Sequence, residues 1–372
     1  MRTKLIFTLG ATAVAAITSS ALNGIAFADT LPASQSHLGS HLQQKLASQW
    51  NRTHKVSMAK NWAVQRPFSE VEETGFVAIS GSSIEQSYEL PDLRMAIAQN
   101  LPAPVVLVIY VDDPDLVEPL KELYSPYLSP ERLQFLLVPA GSDEIWGRDS
   151  LPFPVVLQSA NSSTPPSYGL VDSIYPQNFE PDAAFATAFS QPMQQTGIQF
   201  RGGNLLFDLE GNCFAENVSE VANMNDPTAF FSSYFGCKTT TLLKYSGGGG
   251  IGDIDERVKF LNGKDVLTDN EDYAKQFTQA GYQVHMIPST GIDNETYMNT
   301  LLVNGTIFVP QMDIDADAAA LQAYQNLGFK TVGVRTKDLA DFDLGNIHCL
   351  TMNYPRGSFV SNVDKPEFVT FK

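Results

Sequence analysis

Apolar residues recur in runs of strand length along most of the chain: Gly75 to Ile79, Pro104 to Tyr110, Leu133 to Pro139, Pro154 to Gln158, Asn204 to Phe207, Thr240 to Lys244, Gln283 to Ile287, Thr300 to Pro310 and Thr331 to Val334. Between them, apolar positions repeat with helical spacing at about Leu90 to Asn100, Asp113 to Leu123, Ala183 to Thr196, Asp272 to Ala280 and Asp315 to Leu327. Short apolar runs bounded by turn residues predict strands, and a three-to-four spacing predicts amphipathic helices. Their interleaving predicts an α/β domain rather than an all-β one. It does not predict a dinucleotide-binding fold, because no strand, Gly-x-Gly-x-x-Gly and helix unit with a following acidic residue occurs.

The pattern breaks down at the N-terminus. Arg2 and Lys4 precede an apolar stretch from Leu5 to Ile17, and Ala26-Phe27-Ala28 has the small-x-small form of a signal peptidase site. Thr18, Ser19, Ser20, Asn23 and Gly24 interrupt the run short of the roughly 20 apolar residues that a membrane span needs. Residues 1–28 therefore read as an export signal, and the mature protein as secreted or periplasmic, without a membrane anchor. Residues 29–61 are polar, rich in Ser, Gln and His, with one short helical pattern from His41 to Trp50; they read as an N-terminal arm. Residues 62–372 suffice for a single large domain with a substantial core.

Composition narrows the ligand class. The 41 Asp and Glu against 24 Lys and Arg disfavour nucleic acid and anionic membrane surfaces, and tolerate a cationic ligand. Three cysteines in an exported chain leave one unpaired. Cys213 and Cys237 could be joined, which would leave Cys349 as a free thiol, inert in a core or reactive at a site. The Gly247 to Gly250 run does not suit a phosphate, since Asp253-Ile254-Asp255-Glu256 follows and carboxylates at a phosphate mouth repel the ligand. Asp313, Asp315 and Asp317 imitate the start of a calcium loop. Ala318 stands where that loop needs Gly and Tyr324 where it needs Glu, so the triplet reads as an acidic helix N-terminus. The sequons at Asn51-Arg52-Thr53 and Asn294-Glu295-Thr296 matter only in a eukaryotic secretory pathway.

Four separated segments combine aromatic, acidic, glycine and thiol residues at strand-to-loop junctions, where sites on α/β scaffolds lie. They are Ile145-Trp146-Gly147-Arg148-Asp149, closed by Pro152; Phe200-Arg201-Gly202-Gly203-Asn204; Gly250 to Val258, containing Gly252-Asp253-Ile254-Asp255; and Gly345-Asn346-Ile347-His348-Cys349-Leu350-Thr351, ending at Pro355-Arg356. Tyr297, Asn299, Leu301, Leu302, Asn304-Gly305 and Pro310 add a fifth. Singly, each residue has an ordinary structural explanation; their joint order does not. From about Gly75 to Pro355 the chain resembles the agmatine deiminases and bacterial peptidyl-arginine deiminases of the guanidine-modifying (pentein) superfamily. Those carry Trp-x-Arg-Asp, Gly-Gly-Asn, Gly-His-x-Asp, Tyr-x-Asn-x-Leu-x-x-Asn-Gly and His-Cys-x-Thr segments in this order.

The resemblance implies a pentein-type α/β propeller of five ββαβ-like units around a pseudo-fivefold axis, with the site in its central channel. It also implies hydrolysis of an arginine-like guanidinium to a ureido product and ammonia, on an arginine-containing peptide or a small guanidine compound. Export favours peptidyl-arginine over agmatine. No nicotinamide, flavin or obligatory metal is implied. A guanidinium is planar, cationic and resonance-stabilised, so the chemistry needs carboxylates for its N–H edges, a wall for its face and a soft nucleophile for its carbon. By resemblance Cys349 attacks, Asp149 and Asp255 clamp, and Trp146 is the wall, with Arg148 and Asn204 among the substrate-binding residues. The family's acid/base histidine aligns with Asp253. No other histidine is an obvious substitute: neighbours on an extended strand point to opposite faces, which would turn His348 away from Cys349, and His285 lies within a strand-like run. Clustered carboxylates should raise the thiol's proton affinity. Two expectations follow: either turnover is reduced and binding survives, leaving a pseudoenzyme, or Asp253 supports turnover. Replacing Asp253 with His should then restore or raise activity.

Overall fold

The computed structural model describes residues 63–82, 89–142, 144–158, 166–174, 181–244, 252–292, 295–337, 339 and 345–364. The predicted export signal, the arm with its helix, the Gly247 to Gly250 run and the first sequon lie outside them.

Along the chain run β1 (Val64–Pro67), β2 (Thr74–Ser80), α1 (Glu89–Asn100), β3 (Val106–Val111), α2 (Val117–Tyr124), β4 (Leu133–Leu137), α3 (Gly147–Ser150), β5 (Phe153–Leu157) and β6 (Ser167–Ile174). There follow α4 (Asp182–Phe189), β7 (Met193–Gln199), β8 (Leu206–Phe207), β9 (Asn212–Glu216), α5 (Ser219–Ala222), α6 (Pro227–Phe235), β10 (Thr239–Leu243), β11 (Val258–Phe260) and β12 (Asp265–Thr268). The chain finishes with α7 (Glu271–Gln279), β13 (Gln283–Met286), β14 (Leu301–Val303), β15 (Thr306–Gln311), α8 (Ala316–Asn326), β16 (Lys330–Arg335) and β17 (Thr351–Pro355).

These strands form five small sheets that repeat one topology. A first strand pairs antiparallel with a second, and the chain then returns through helix to a third strand parallel to the second. The triplets are β5, β6, β7; β8, β9, β10; β11, β12, β13; and β14, β15, β16. The remaining triplet is β17, β2, β3, whose first strand comes from the far end of the chain and closes the architecture on itself. Two sheets carry an extra edge strand, β1 beside β5 and β4 beside β3. This is the ββαβ repeat that the sequence resemblance implied.

Two predicted elements change. The helical pattern from Ala183 to Thr196 stops at Phe189, where Ser190 turns left-handed (φ 53°), and β7 begins after Pro192. Proline disfavours the helical conformation in the residue before it and has no N–H for the helix ladder, so the remaining residues pair with β6 instead. The single run from Thr300 to Pro310 is a hairpin, turned at Asn304 and Gly305, both at positive φ (46° and 82°). That is the conformation Asn-Gly adopts at least cost in a two-residue turn.

The buried aromatic cluster beneath β5 and α6 supports this half of the molecule. Phe153 meets Phe200, Phe207 and Phe235 with ring centroids 5.6–6.3 Å apart, most of them edge to face. Cys213 and Cys237 are joined in the same cluster, tying β9 to the end of α6. Leu350 and Ile347 belong to a second cluster with the strands β2, β3 and β4. Among the described residues no helix is long and apolar enough to cross a membrane.

Candidate active site

In all five units the chemistry-bearing residues sit just ahead of the first strand. Asp149 precedes β5, Gly203 and Asn204 precede β8, Asp253 and Asp255 precede β11, Asn299 precedes β14, and His348 and Cys349 precede β17. Five equivalent segments thus bring together residues up to 200 positions apart, and short turns shape them. Asp149 lies in the single-turn α3, and Gly202–Asn204 and Ile254–Glu256 are 3-10 turns. Two glycines permit the approach of these segments. A Cβ on Gly202 would stand 2.0 Å from the Arg148 carbonyl oxygen, and one on Gly147 3.1 Å from the Leu350 carbonyl oxygen.

Cys349 is a buried free thiol. Its Sγ lies 3.6 Å from Asp255 Oδ2 and accepts from Asn299 Nδ2 at 3.0 Å. The Asn299 side-chain oxygen accepts from the backbone N–H groups of His348 (2.8 Å) and Cys349 (3.2 Å), so this amide fixes the nucleophile's turn as well as its sulfur. Asp149 Oδ1 accepts from the Gly203 N–H at 2.9 Å. A Cβ on Gly203 would lie 3.0 Å from both Asp253 Oδ2 and Asp255 Oδ1, so three carboxylates converge on one bare glycine. Gly345, at φ 75°, plays a similar part on the other side. A Cβ there would meet Cys349 Sγ at 3.1 Å and Trp146 Cζ3 at 3.3 Å, which places the half-buried indole beside the thiol. Asp255 Oδ1 is buried and has no hydrogen-bond partner among the described residues.

Electrostatics follow from this crowding. Burial, then the charge of Asp253, pushes Asp149 up to about 7. Burial, with Asp253, Glu256 and Asp149 behind it, lifts Asp255 well above the ordinary carboxylate range. Burial and Asp253 raise Glu256 to about 8. Burial, then Asp255, Asp149 and Glu256, raises the Cys349 thiol far above its usual value. Crowding among these carboxyl groups thus raises the proton affinity of Asp149, Asp255, Glu256 and Cys349 together, an environment in which a cation is favoured.

Three residues occupy places other than those the sequence suggested. Asp253 is fully buried in a fork with Arg201 (Nε to Oδ2 3.0 Å, Nη2 to Oδ1 2.8 Å), and Arg201 Nη1 also reaches Glu220 at 2.8 Å. The carboxylate that aligns with the acid/base position is thus held by an internal cation, and a histidine placed there would face a guanidinium. Asn204 gives both ends of its amide to the backbone of Glu216, at 3.0 and 2.8 Å, and so pins the turn. Arg148 lies behind the site, donating to Met352 Sδ at 3.2 Å. It lines a cavity of about 20 Å³ with Glu70, Phe153, Met352 and His348 that does not reach the thiol.

His348 overturns the expectation most directly. Residues 347–350 form a turn rather than a strand, so side-chain alternation does not apply. Its Nδ1 lies 2.7 Å from Asp255 Oδ2, the oxygen that faces Cys349, and its Nε2 lies 3.1 Å from Glu70 Oε2. Lys259 Nζ holds the other oxygen of Glu70 at 2.7 Å. Asn299 and His348 both stood inside quoted motifs, so a signal existed. Arg201 too stood inside one of those segments, though its pairing with Asp253 did not show there, and Glu70 had no signal, because its partners come from other units. His285 pairs with Asp265 at 2.6 Å on a half-exposed sheet face, outside the site. Asp317 accepts from the backbone N–H groups of Met312 and Ile314 in the first turn of α8, and Asp313 pairs with Arg335.

A family model for Porphyromonas-type peptidyl-arginine deiminases matches residues 85–355, which include every segment of the site. The chain belongs to that family. The solved structures it resembles include the agmatine deiminase of C. jejuni (TM-score 0.64, 14% identity, 79% of this chain and 96% of that one). Another is the agmatine deiminase of Enterococcus faecalis (TM-score 0.63, 16% identity, 82% and 100%). At such identities these neighbours establish the pentein fold for the family member described here. Among curated relatives, a protein of Streptococcus mutans provisionally named an agmatine deiminase is 44% identical over 62 residues. The match spans 16% of the length of either protein.

Proposed function

We propose that this family member is a guanidine deiminase, hydrolysing an arginine-like guanidinium to a ureido group and ammonia with Cys349 as nucleophile. The observation that carries the reading is the meeting of Cys349 Sγ with Asp255 Oδ2 at 3.6 Å, beside a glycine shared by the Asp149, Asp253 and Asp255 carboxylates. Asp149 and Asp255 take the N–H edges of the planar cation, and Trp146 covers the side of the cavity next to the sulfur. Asn299 holds the sulfur in line. The thiol is protonated at rest. A docked guanidinium brings the positive charge that the site lacks, so the thiol is activated when substrate is present. Arginine in a peptide is the favoured substrate over agmatine, in keeping with the family's description and with an export signal over residues 1–28. On this reading the protein works outside the cytoplasm, as a citrullinating enzyme.

Incubation with an arginine peptide, free arginine and agmatine, followed by a colorimetric ureido assay, tests the activity and the preference. Product from the peptide, abolished by Cys349→Ala, is expected; absence of product from all three would refute it. Edman sequencing of exported protein should begin at Asp29. One observation favours a second reading: with Asp253 sequestered by Arg201, the chain would bind guanidinium groups without turnover. Calorimetric binding of an arginine peptide without ureido formation would establish that alternative.

A further inference from the structure

With Asp253 tied to Arg201, the site described above needs another group to handle protons, and the contacts of His348 supply one. Both imidazole nitrogens face carboxylate oxygens, Asp255 Oδ2 at 2.7 Å and Glu70 Oε2 at 3.1 Å. A neutral imidazole has one donor and one acceptor, so it can satisfy two carboxyl groups only if one of them is protonated. Lys259 Nζ, 2.7 Å from Glu70 and itself donating to the Thr300 carbonyl oxygen at 2.6 Å, keeps Glu70 ionised. The proton therefore belongs to the Asp255 side, where Asp253, Glu256 and Asp149 crowd the carboxyl and, among the described residues, no Lys or Arg forms a hydrogen bond or ion pair with it.

We propose that His348 is the proton reservoir of this site, exchanging one proton with Asp255 across their 2.7 Å contact and passing it toward Glu70 and the cavity behind. The proposal rests on the deiminase reading. At rest, Asp255 carries the proton and donates to Nδ1. Burial, reinforced by Arg148, holds the imidazole down to about 3, so it is neutral. A guanidinium docked on Asp255 draws the proton across, giving an ionised Asp255 beside an imidazolium flanked by two carboxylates. The change moves one proton within a single hydrogen bond and leaves the net charge of Asp255, His348 and Glu70 unchanged.

The two half-reactions use this reservoir unequally. In the first, the Cys349 S–H bond breaks and a C–S bond forms at the guanidinium carbon. The thiol proton passes through Asp255 to the departing nitrogen as the C–N bond breaks, and ammonia leaves. The proton lost by sulfur is the one gained by ammonia, so no outside base is needed. In the second, water forms a C–O bond and the C–S bond breaks, returning the thiol and the ureido product. Here water brings two protons and sulfur reclaims one, so a proton is left over; Asp255 takes it and returns to its resting protonated form, while His348, an imidazolium since the substrate docked, releases its own proton toward Glu70 and becomes neutral. The cavity of about 20 Å³ that touches His348, Glu70 and Arg148 has room for about one water to carry it on.

The test uses full-length protein and an arginine peptide. His348→Gln keeps a hydrogen-bond donor toward Asp255 but cannot store a proton. It should release one equivalent of ammonia per site and then stall, with the Cys349 adduct visible by intact mass. Steady-state turnover should fall by about a hundred- to ten-thousand-fold, the range of general acid–base catalysis. Glu70→Gln, which spares the ring, should show the same accumulation in milder form and serves if the first variant misfolds. A folded His348→Gln protein that turns over at the wild-type rate, or that slows without accumulating adduct, overturns the relay while leaving the deiminase intact; so does Glu70→Gln without accumulation. Wild-type protein that forms neither adduct nor product overturns the deiminase reading itself, and the relay with it.

Discussion

Replacing Asp253 with histidine is the change that the sequence alone recommends and the structure argues against. Asp253 is 1% exposed and accepts from Arg201 at 3.1, 3.0 and 2.8 Å; Arg201 is 4% exposed, and Glu220 is its other carboxylate partner, at 2.8 Å. An imidazole in this place returns none of those acceptor bonds and takes from the buried guanidinium one of the two carboxylates it meets among the described residues. Removing one partner of a buried ion pair costs about 3–5 kcal/mol. Glu220 persists, so the lower end applies, about 3 kcal/mol. At about 2–4 °C per kcal/mol for a large domain, Tm should fall by roughly 6–12 °C. Activity should not rise, because the ring faces Arg201 rather than substrate. Arg201→Gln combined with Asp253→His removes the stranded cation. Burial already pushes Glu220 up to about 7 against the pull of Arg201, so without that cation it can become neutral at little cost. The double variant should regain most of the lost stability and exceed the single variant in ureido production. Calorimetric melting and the ureido assay on wild type, single and double variants decide the matter. A single variant that melts with wild type, or that gains activity unaided, would show that Arg201 does not control this position.

Three further outcomes follow from the same geometry. Gly203→Ala puts a Cβ 3.0 Å from Asp253 Oδ2 and Asp255 Oδ1; at about 1–3 kcal/mol for overpacking it should weaken guanidinium binding about tenfold, measured by calorimetry, with little change in circular dichroism. Asp149 and Glu256 titrate near 7 and 8 in the fold, above their unfolded values, so the native state binds more protons and their contribution to stability is lost as pH rises through those values. Melting should accordingly drop between pH 5 and pH 8, and saturating arginine amide should reduce the drop; a Tm that rises across this window would contradict the assignment. Reducing the Cys213–Cys237 bond, which closes a loop across 24 positions, should cost about 3 kcal/mol by chain entropy while leaving adduct formation at Cys349 intact, as read by melting and mass spectrometry with and without dithiothreitol.

Much of this molecule was legible in its residues. Strand-length apolar runs and helical repeats marked the helices α1, α2, α7 and α8, the start of α4, and strands such as β2, β3, β4, β5, β15 and β16, since periodicity reports which face is buried. Joint motif order identified the family and carried Cys349, Asp149, Asp255 and Trp146 to one site. The strands β6, β9, β11, β12 and β17 fell in none of the predicted runs, because short segments with polar members such as Asn353 leave no period to detect, and Asn353 is explained by its bonds to the Thr74 hydroxyl and to the Leu302 carbonyl oxygen in another sheet. Charge pairing was beyond local pattern altogether. Nothing near Asp253 in the sequence announces Arg201, and nothing near His348 announces Glu70, 278 positions away. Sequence determines which side chains are available and which way a strand or helix faces. Only the closure of five units around one cavity decides which charges are forced together out of water, and buried charges take their proton affinities from those partners.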